Sequence, residues 1–183
     1  MGVAQLAYTG VLGGPAADFL LADEHKATEQ LILDTGLPYT FLRNGWYTEN
    51  YLSNLAATVE RGTVVNNVKE GSRIATAARA DYAAAAAVVV SEDGHLNRAY
   101  ELSGDTAWTF EEFAAELAKQ SGRTVVHQSV SPAQHKATLV GVGLPEGFAE
   151  VLVDVDEAIN RGLLAGTSGD LTKLIGRPTT PLA

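Results

Sequence analysis

Tyr39-Thr-Phe-Leu-Arg-Asn-Gly-Trp-Tyr-Thr-Glu-Asn50 is the stretch that decides the fold. Tyr39 to Leu42 is a short apolar run introduced by Gly36 and Pro38, the pattern of a strand buried on both faces. It stops at Asn44-Gly45, a pair that tolerates left-handed backbone angles and turns the chain sharply. Trp46, Tyr47 and Tyr51 then follow within one or two turns of the strand end. In open α/β sheets ligands sit outside the carboxyl ends of the strands. A buried strand that runs straight into amides and aromatics marks that end as the place for a site.

Outward from this stretch, strands and helices alternate. Ala4 to Tyr8 reads as a strand ending at Thr9-Gly10, and Val11 to Phe19 as a Gly/Ala/Pro-rich loop. Leu21, His25, Thr28 and Ile32 recur at helical spacing, which predicts a helix over 21–33. A second helix is expected from Glu49 to Arg61, closed by Gly62. Thr63-Val-Val65 is a short strand, with Arg73-Ile74-Ala75 as its expected hairpin partner. Arg79 to Ser91 is a helix apolar nearly all round, and so expected to be buried; Asp81 in its first turn suits the helix dipole. Ala99 to Ser103 alternates like a strand.

Further on, Thr109-x-x-Glu112 is a capping box that opens a helix running to Gln120. Thr124 to Val130 reads as a strand. Ser131-Pro132 starts another helix, proline standing where its missing N–H costs nothing. From Glu146, the residues Phe148, Val151, Leu152, Val155, Ile159 and Leu163 form the most regular amphipathic helix, with Asp154 and Asp156 expected on its solvated surface. The fold class is α/β, and the organisation expected is a sheet portion over 1–97 and a smaller lobe over 98–183.

Composition narrows the function. A formal net charge of −9 with no basic stripe argues against nucleic acid. Without cysteine there is neither disulfide nor thiol chemistry, which is compatible with a cytoplasmic location. No apolar run approaches the ~20 residues of a membrane helix, so no membrane partner is expected. His25 and Glu29 at i, i+4 could clip a metal, but no third ligand is in view and no metal is expected. No Ser-His-Asp set or other ligand cluster stands out.

The chain resembles the NmrA-like atypical short-chain dehydrogenases, and within them the type 2 NAD(P)H:quinone oxidoreductases. The resemblance rests on Arg43-Asn-Gly-Trp-Tyr-Thr-Glu-Asn50, Leu21-Ala-Asp-Glu-His25 and Arg79-Ala-Asp-Tyr-Ala83. It continues through Tyr100-Glu-Leu-Ser-Gly-Asp105, Ala115 to Gly122 and Leu174 to Thr180, in one order over nearly the whole chain. It implies a Rossmann-like NAD(P)-binding fold, present as its C-terminal part, followed by a small lobe that covers the substrate. It also implies hydride transfer from NADPH or NADH to a quinone. Asn44 and Gly45 would meet the nicotinamide carboxamide, with Thr9 beside it; Trp46, Tyr47 and Asn50 would wall the quinone pocket; and His25 with Asn44 would serve the reaction. Thr9 is equally a strand-end hydroxyl bonded to backbone, His25 at such a place is more often a packed or surface residue, and Tyr51 is read as core.

Two departures from the family stand out. Typical short-chain dehydrogenases carry Tyr-x-x-x-Lys on the helix of His25; here the position four before Lys26 is Ala22. Hydride transfer to a quinone asks little acid catalysis of the protein, because the cofactor carries the hard chemistry. The second departure is the lack of any Gly-x-x-Gly-x-x-Gly turn, whose backbone N–H groups would hold a pyrophosphate. The resemblance starts near the family's fifth strand, about three strand-helix units of ~30 residues into the fold. Two readings follow. Either the chain is the substrate-side portion of such an enzyme, or it is a non-enzymatic NmrA-like module that binds no nucleotide. An exposed sheet edge on the first strand is expected to make it a homo-oligomer or to draw another chain.

Overall fold

The computed structural model describes residues 3–182. In chain order the elements begin with β1 (Leu6–Val11), a 3-10 turn (Gly14–Ala16), α1 (Leu20–Asp34) and β2 (Tyr39–Asn44). Next come α2 (Glu49–Leu52), α3 (Leu55–Arg61), β3 (Thr63–Asn66), β4 (Arg73–Ile74) and α4 (Arg79–Ser91). They are followed by β5 (Arg98–Leu102), β6 (Trp108–Thr109), α5 (Phe110–Ser121) and β7 (Val126–Ser129). The series closes with α6 (Pro132–Gly141), α7 (Glu146–Asn160) and α8 (Asp170–Ile175).

The described chain forms two compact units that interleave along the sequence. Of the described residues, the first takes 3–49, 75–107 and 166–182; the second takes 50–74 and 108–165. The boundary expected near Asn97 therefore falls inside the first unit. Linear order could not show this, because the first unit is closed by a segment that returns to it late in the chain.

In the first unit three parallel strands lie in the order β1-β2-β5, with Val11 opposite Asn44 and Asn44 opposite Leu102. Parallel neighbours need long crossovers, and α1 and α4 supply them. Side chains alternate across a strand, so β2 sorts its residues between the two helices. Leu42 packs with Tyr82, Ala85 and Val89 of α4, and with Leu102 and Leu171. Arg43, one residue on, bonds Glu29 of α1. That two-sided burial is what the apolar run of β2 encodes. β1 runs three residues further than expected, to Val11, which puts Thr9 and Gly10 within the strand. Helix α4 is less buried than its composition suggested, with Val90 exposed; its small alanines let one face touch water at little cost. Asp81 is fully buried and holds the segment near the end of the described chain: Arg177 Nη2 donates at 2.6 Å and Thr180 N–H at 2.7 Å. Asp105 accepts from Thr179 N–H at 2.8 Å and also from the Thr172 hydroxyl.

In the second unit β3 pairs in parallel with β7, and β4 pairs antiparallel with β6. The hairpin expected between β3 and β4 does not form; each finds a partner more distant in sequence. The expected helix over 49–61 is two short ones, α2 and α3. The capping box read at Thr109/Glu112 is present, and a second forms at Ser131/Gln134. Tyr51 packs edge-on against Trp108 and Phe110, a core position as read. Asp156 corrects the expected solvated face of α7: it is buried, 3.0 Å from His135 Nδ1, and accepts Asn67 N–H at 3.0 Å. Asn67 Oδ1 lies 2.6 Å from the same imidazole nitrogen.

Candidate functional site

The site is built where β2 ends. Backbone pairing carries on past the strand: Leu12 N–H donates to Asn44 O at 2.9 Å, and Gly45 N–H donates to Leu102 O at 2.7 Å. Gly45 leaves little room for a side chain, since a Cβ there would stand 3.1 Å from Leu102 O and 3.2 Å from Tyr82 Oη, tighter than ordinary contact. The chain then leaves along a backbone tie to 75–77, with Ala77 N–H donating to Trp46 O at 3.3 Å and Thr48 N–H to Ala77 O at 3.0 Å. Tyr47 is held between two neighbours. Its ring lies 5.3 Å from that of Tyr82, and the Arg79 guanidinium sits 4.9 Å from its centroid.

Asn44 is buried, yet its Oδ1 has no hydrogen-bond partner. Ser103 Oγ, one residue beyond the end of β5, is likewise buried and unpartnered. Nearly all buried polar atoms are satisfied, so each exception asks for a reason. Here both lie at the carboxyl ends of neighbouring parallel strands, where α/β proteins take ligands. Tyr82 adds a third polar group nearby: burial pushes its phenol above the usual range, with Tyr47 adding to the effect. It keeps its proton and is a donor.

The arrangement separates residues that the sequence grouped. Asn44 follows Leu42 on the α4 face of the sheet, whereas His25 belongs to α1 on the other face. His25 Nδ1 is 2.7 Å from the Tyr8 hydroxyl, a strand residue well below the strand ends. The structure thus brings together Asn44, Gly45, Trp46 and Tyr47 and leaves His25 apart from them. Thr9 is exposed and lies within β1. Asn50 begins the second unit, on α2. Lys26 pairs with Asp23 at 3.0 Å. Among the described residues there is no cluster of histidine and acidic side chains fit for a metal, and no helix long and apolar enough to cross a membrane.

Sequence reasoning gave no role to Arg43, which the structure makes the most heavily bonded side chain of the region. Its Nε and Nη2 donate to the two carboxylate oxygens of Glu29 at 2.9 and 2.7 Å, and Nη1 donates to Glu101 Oε1 at 2.9 Å. The bond to Glu29 holds the guanidinium more firmly charged than usual, against the burial that opposes it. Glu101 Oε2 in turn accepts Gly13 N–H at 2.7 Å. Ser103 and Glu101 were visible only as parts of an alternating strand, and nothing local marked either.

The residues at the strand ends suit a flat, amide-bearing ligand: an unpartnered amide oxygen, a proton-keeping phenol and aromatic faces. They supply no pyrophosphate cradle.

No family model matches the sequence. Quinone oxidoreductase 2 of Escherichia coli K12 is 50% identical over 182 residues, all of this chain and 63% of that protein. Its crystal structure in complex with NADPH superposes with a TM-score of 0.95, covering 99% of this chain and 64% of that one. The Citrobacter sp. triphenylmethane reductase, solved with NADP(H), is 42% identical with a TM-score of 0.93 over 98% of this chain and 63% of the other. The chain thus spans a little under two thirds of the relatives it matches. On sequence and fold together, it belongs to the NmrA-like atypical short-chain dehydrogenases, as a homologue of quinone oxidoreductase 2.

Proposed function

We propose that this chain is the substrate-side portion of an NADPH-dependent quinone oxidoreductase. The observation that carries the reading is the buried, unpartnered Asn44 Oδ1 at the carboxyl end of a parallel sheet. NADPH supplies a hydride when bound. The chain's own part is to receive and orient the flat groups: Asn44 and Gly45 meet the carboxamide, Thr9 lies alongside, and Trp46 and Tyr47 wall the quinone. A cytoplasmic setting goes with this reading. The test restores the first third of the fold from the E. coli relative and measures quinone reduction. Asn44→Ala should slow it by on the order of tenfold, about 1.4 kcal/mol of barrier; rates unchanged within about twofold would leave Asn44 as a strand-end residue only.

A second reading is favoured by one observation, the lack of a glycine-rich phosphate turn in this sequence. On that reading the chain by itself is a non-enzymatic module. Calorimetry on the isolated chain separates the two: micromolar NADPH binding would defeat the second reading and imply another grip on the cofactor.

A further inference from the structure

We propose that Arg43 is a positioning residue for the candidate site, fixing the turn after β1 and the end of β2 in one frame. The proposal rests on the quinone reading for what the site receives, and on the geometry alone for the coupling. Arg43 is the last residue before Asn44, so its backbone leads directly into the end of β2 and the segment that follows it. Its side chain leaves on the opposite face and reaches the turn after β1 in two ways. Through Glu101 it holds Gly13, whose N–H donates to Oε2 at 2.7 Å while Oε1 accepts from Arg43 at 2.9 Å. Directly, the guanidinium occupies the place of a side chain at Gly14, where a Cβ would fall 2.3 Å from Arg43 Cζ. Gly13 and Gly14 both have positive φ, at 89° and 48°, which glycine takes without strain, and the lack of side chains lets Arg43 and Glu101 lie against this backbone. Glu29 supplies the fixed end. It is 4% exposed and grips the guanidinium with both oxygens, which leaves that planar group one orientation.

An arginine is suited to this and a lysine is not. Two carboxylates on different elements are joined by one rigid fork, whereas an ammonium would meet them as a point charge on a flexible stem. Glu101 is also anchored from behind: its own N–H donates to Asp170 Oδ2 at 3.3 Å, and its carbonyl accepts from the Ser168 hydroxyl. The chain of contacts Glu29–Arg43–Glu101–Gly13 therefore starts on α1 and ends at the turn after β1. It uses no group that the site itself offers to a ligand.

Glu101 is the residue to change, because its side chain is 35% exposed and the fold should survive the loss. In Glu101→Ala the Gly13 amide should exchange with solvent about tenfold faster or more, the loss of one charge-assisted bond. Amides in the middle of β2 should keep their protection. Glu101→Gln, which retains an acceptor oxygen, should recover part of it; Arg43→Lys should loosen Gly13 and Gly45 together. Menadione binding, followed by quenching of Trp46 in the parent and variants, tests the consequence. Weaker binding that tracks Gly13 exposure supports the positioning role. Unchanged Gly13 exchange in both Glu101→Ala and Arg43→Lys overturns it, and so does menadione affinity unchanged while Gly13 protection is lost. A parent chain that takes up no menadione counts against the quinone reading, and the joint loosening of Gly13 and Gly45 in Arg43→Lys then decides the coupling by itself.

Discussion

Replacing Glu29 by alanine isolates the energetics of the pair under the site. The Glu29 side chain is 4% exposed and that of Arg43 16%, and two hydrogen bonds of 2.9 and 2.7 Å join them. Removing one member of a buried pair costs about 3–5 kcal/mol, because the survivor is left charged and out of water. Arg43 keeps Glu101 at 2.9 Å, so the low end, about 3 kcal/mol, is expected. At about 2–4 °C per kcal/mol for a chain of this size, Tm should fall by about 6–12 °C. The double variant Glu29→Leu with Arg43→Met should recover most of that loss, since well-packed apolar groups of similar volume often replace a buried ion pair at no net cost. Urea unfolding of the parent, both single variants and the double closes a mutant cycle. A cost below about 1 kcal/mol for Glu29→Ala, the value of an exposed pair, would refute the reasoning. The fork would then be solvent-screened and no rigid template for Gly14.

Two further outcomes follow from features away from Arg43. Asp81 and Asp105 are both held below the ordinary aspartate value of 3.8; burial works against this and is outweighed by hydrogen bonds from Thr180 and Arg177, and from Thr172 and Thr179. Their folded values lie below the unfolded one, so the stability they contribute is present above about 3.8 and lost as pH falls through the folded values. Amide exchange at Thr179 and Thr180 should stay slow above that pH and rise below it, and protection that persists in stronger acid would sink the assignment. Among the described residues β1 is paired on one side only, which leaves a row of backbone groups open to another strand. Light scattering should therefore find self-association, and a compact, cooperatively folding monomer of 19.3 kDa would disprove it.

What could be read from the sequence was what is local. The apolar run Tyr39–Leu42 encodes a two-sided strand, and Thr109 with Glu112 encodes a cap; the structure has both. The sharp turn expected at Asn44-Gly45 is absent: neither residue has a positive φ, and Gly45 N–H carries the pairing on to Leu102 O. Partners far apart along the chain were not legible. Arg43 meets carboxylates 14 and 58 residues away, and no spacing rule links them. Asp156 looked solvated because its helix neighbours said nothing of His135 or Asn67, the latter 89 residues distant. The strand β3 was given the nearest candidate, Arg73-Ile74, because short connections are the rule, and it pairs instead with Val126–Ser129. At the site itself, the strand end was legible from composition, while Ser103 and Glu101 carry no local mark.

The late return of the chain to its first unit has a consequence in time. Asp81 waits for Thr180, 99 residues later, and Asp105 for Thr179, 74 residues later. At about 5–20 residues per second of synthesis, a buried carboxylate spends on the order of 5–20 s without its partners while the chain is still being made. During that interval the second unit, whose last segment precedes these partners, is already complete in sequence. The two buried carboxylates of the first unit thus gain these partners only after the segments 50–74 and 108–165 of the second unit have been made.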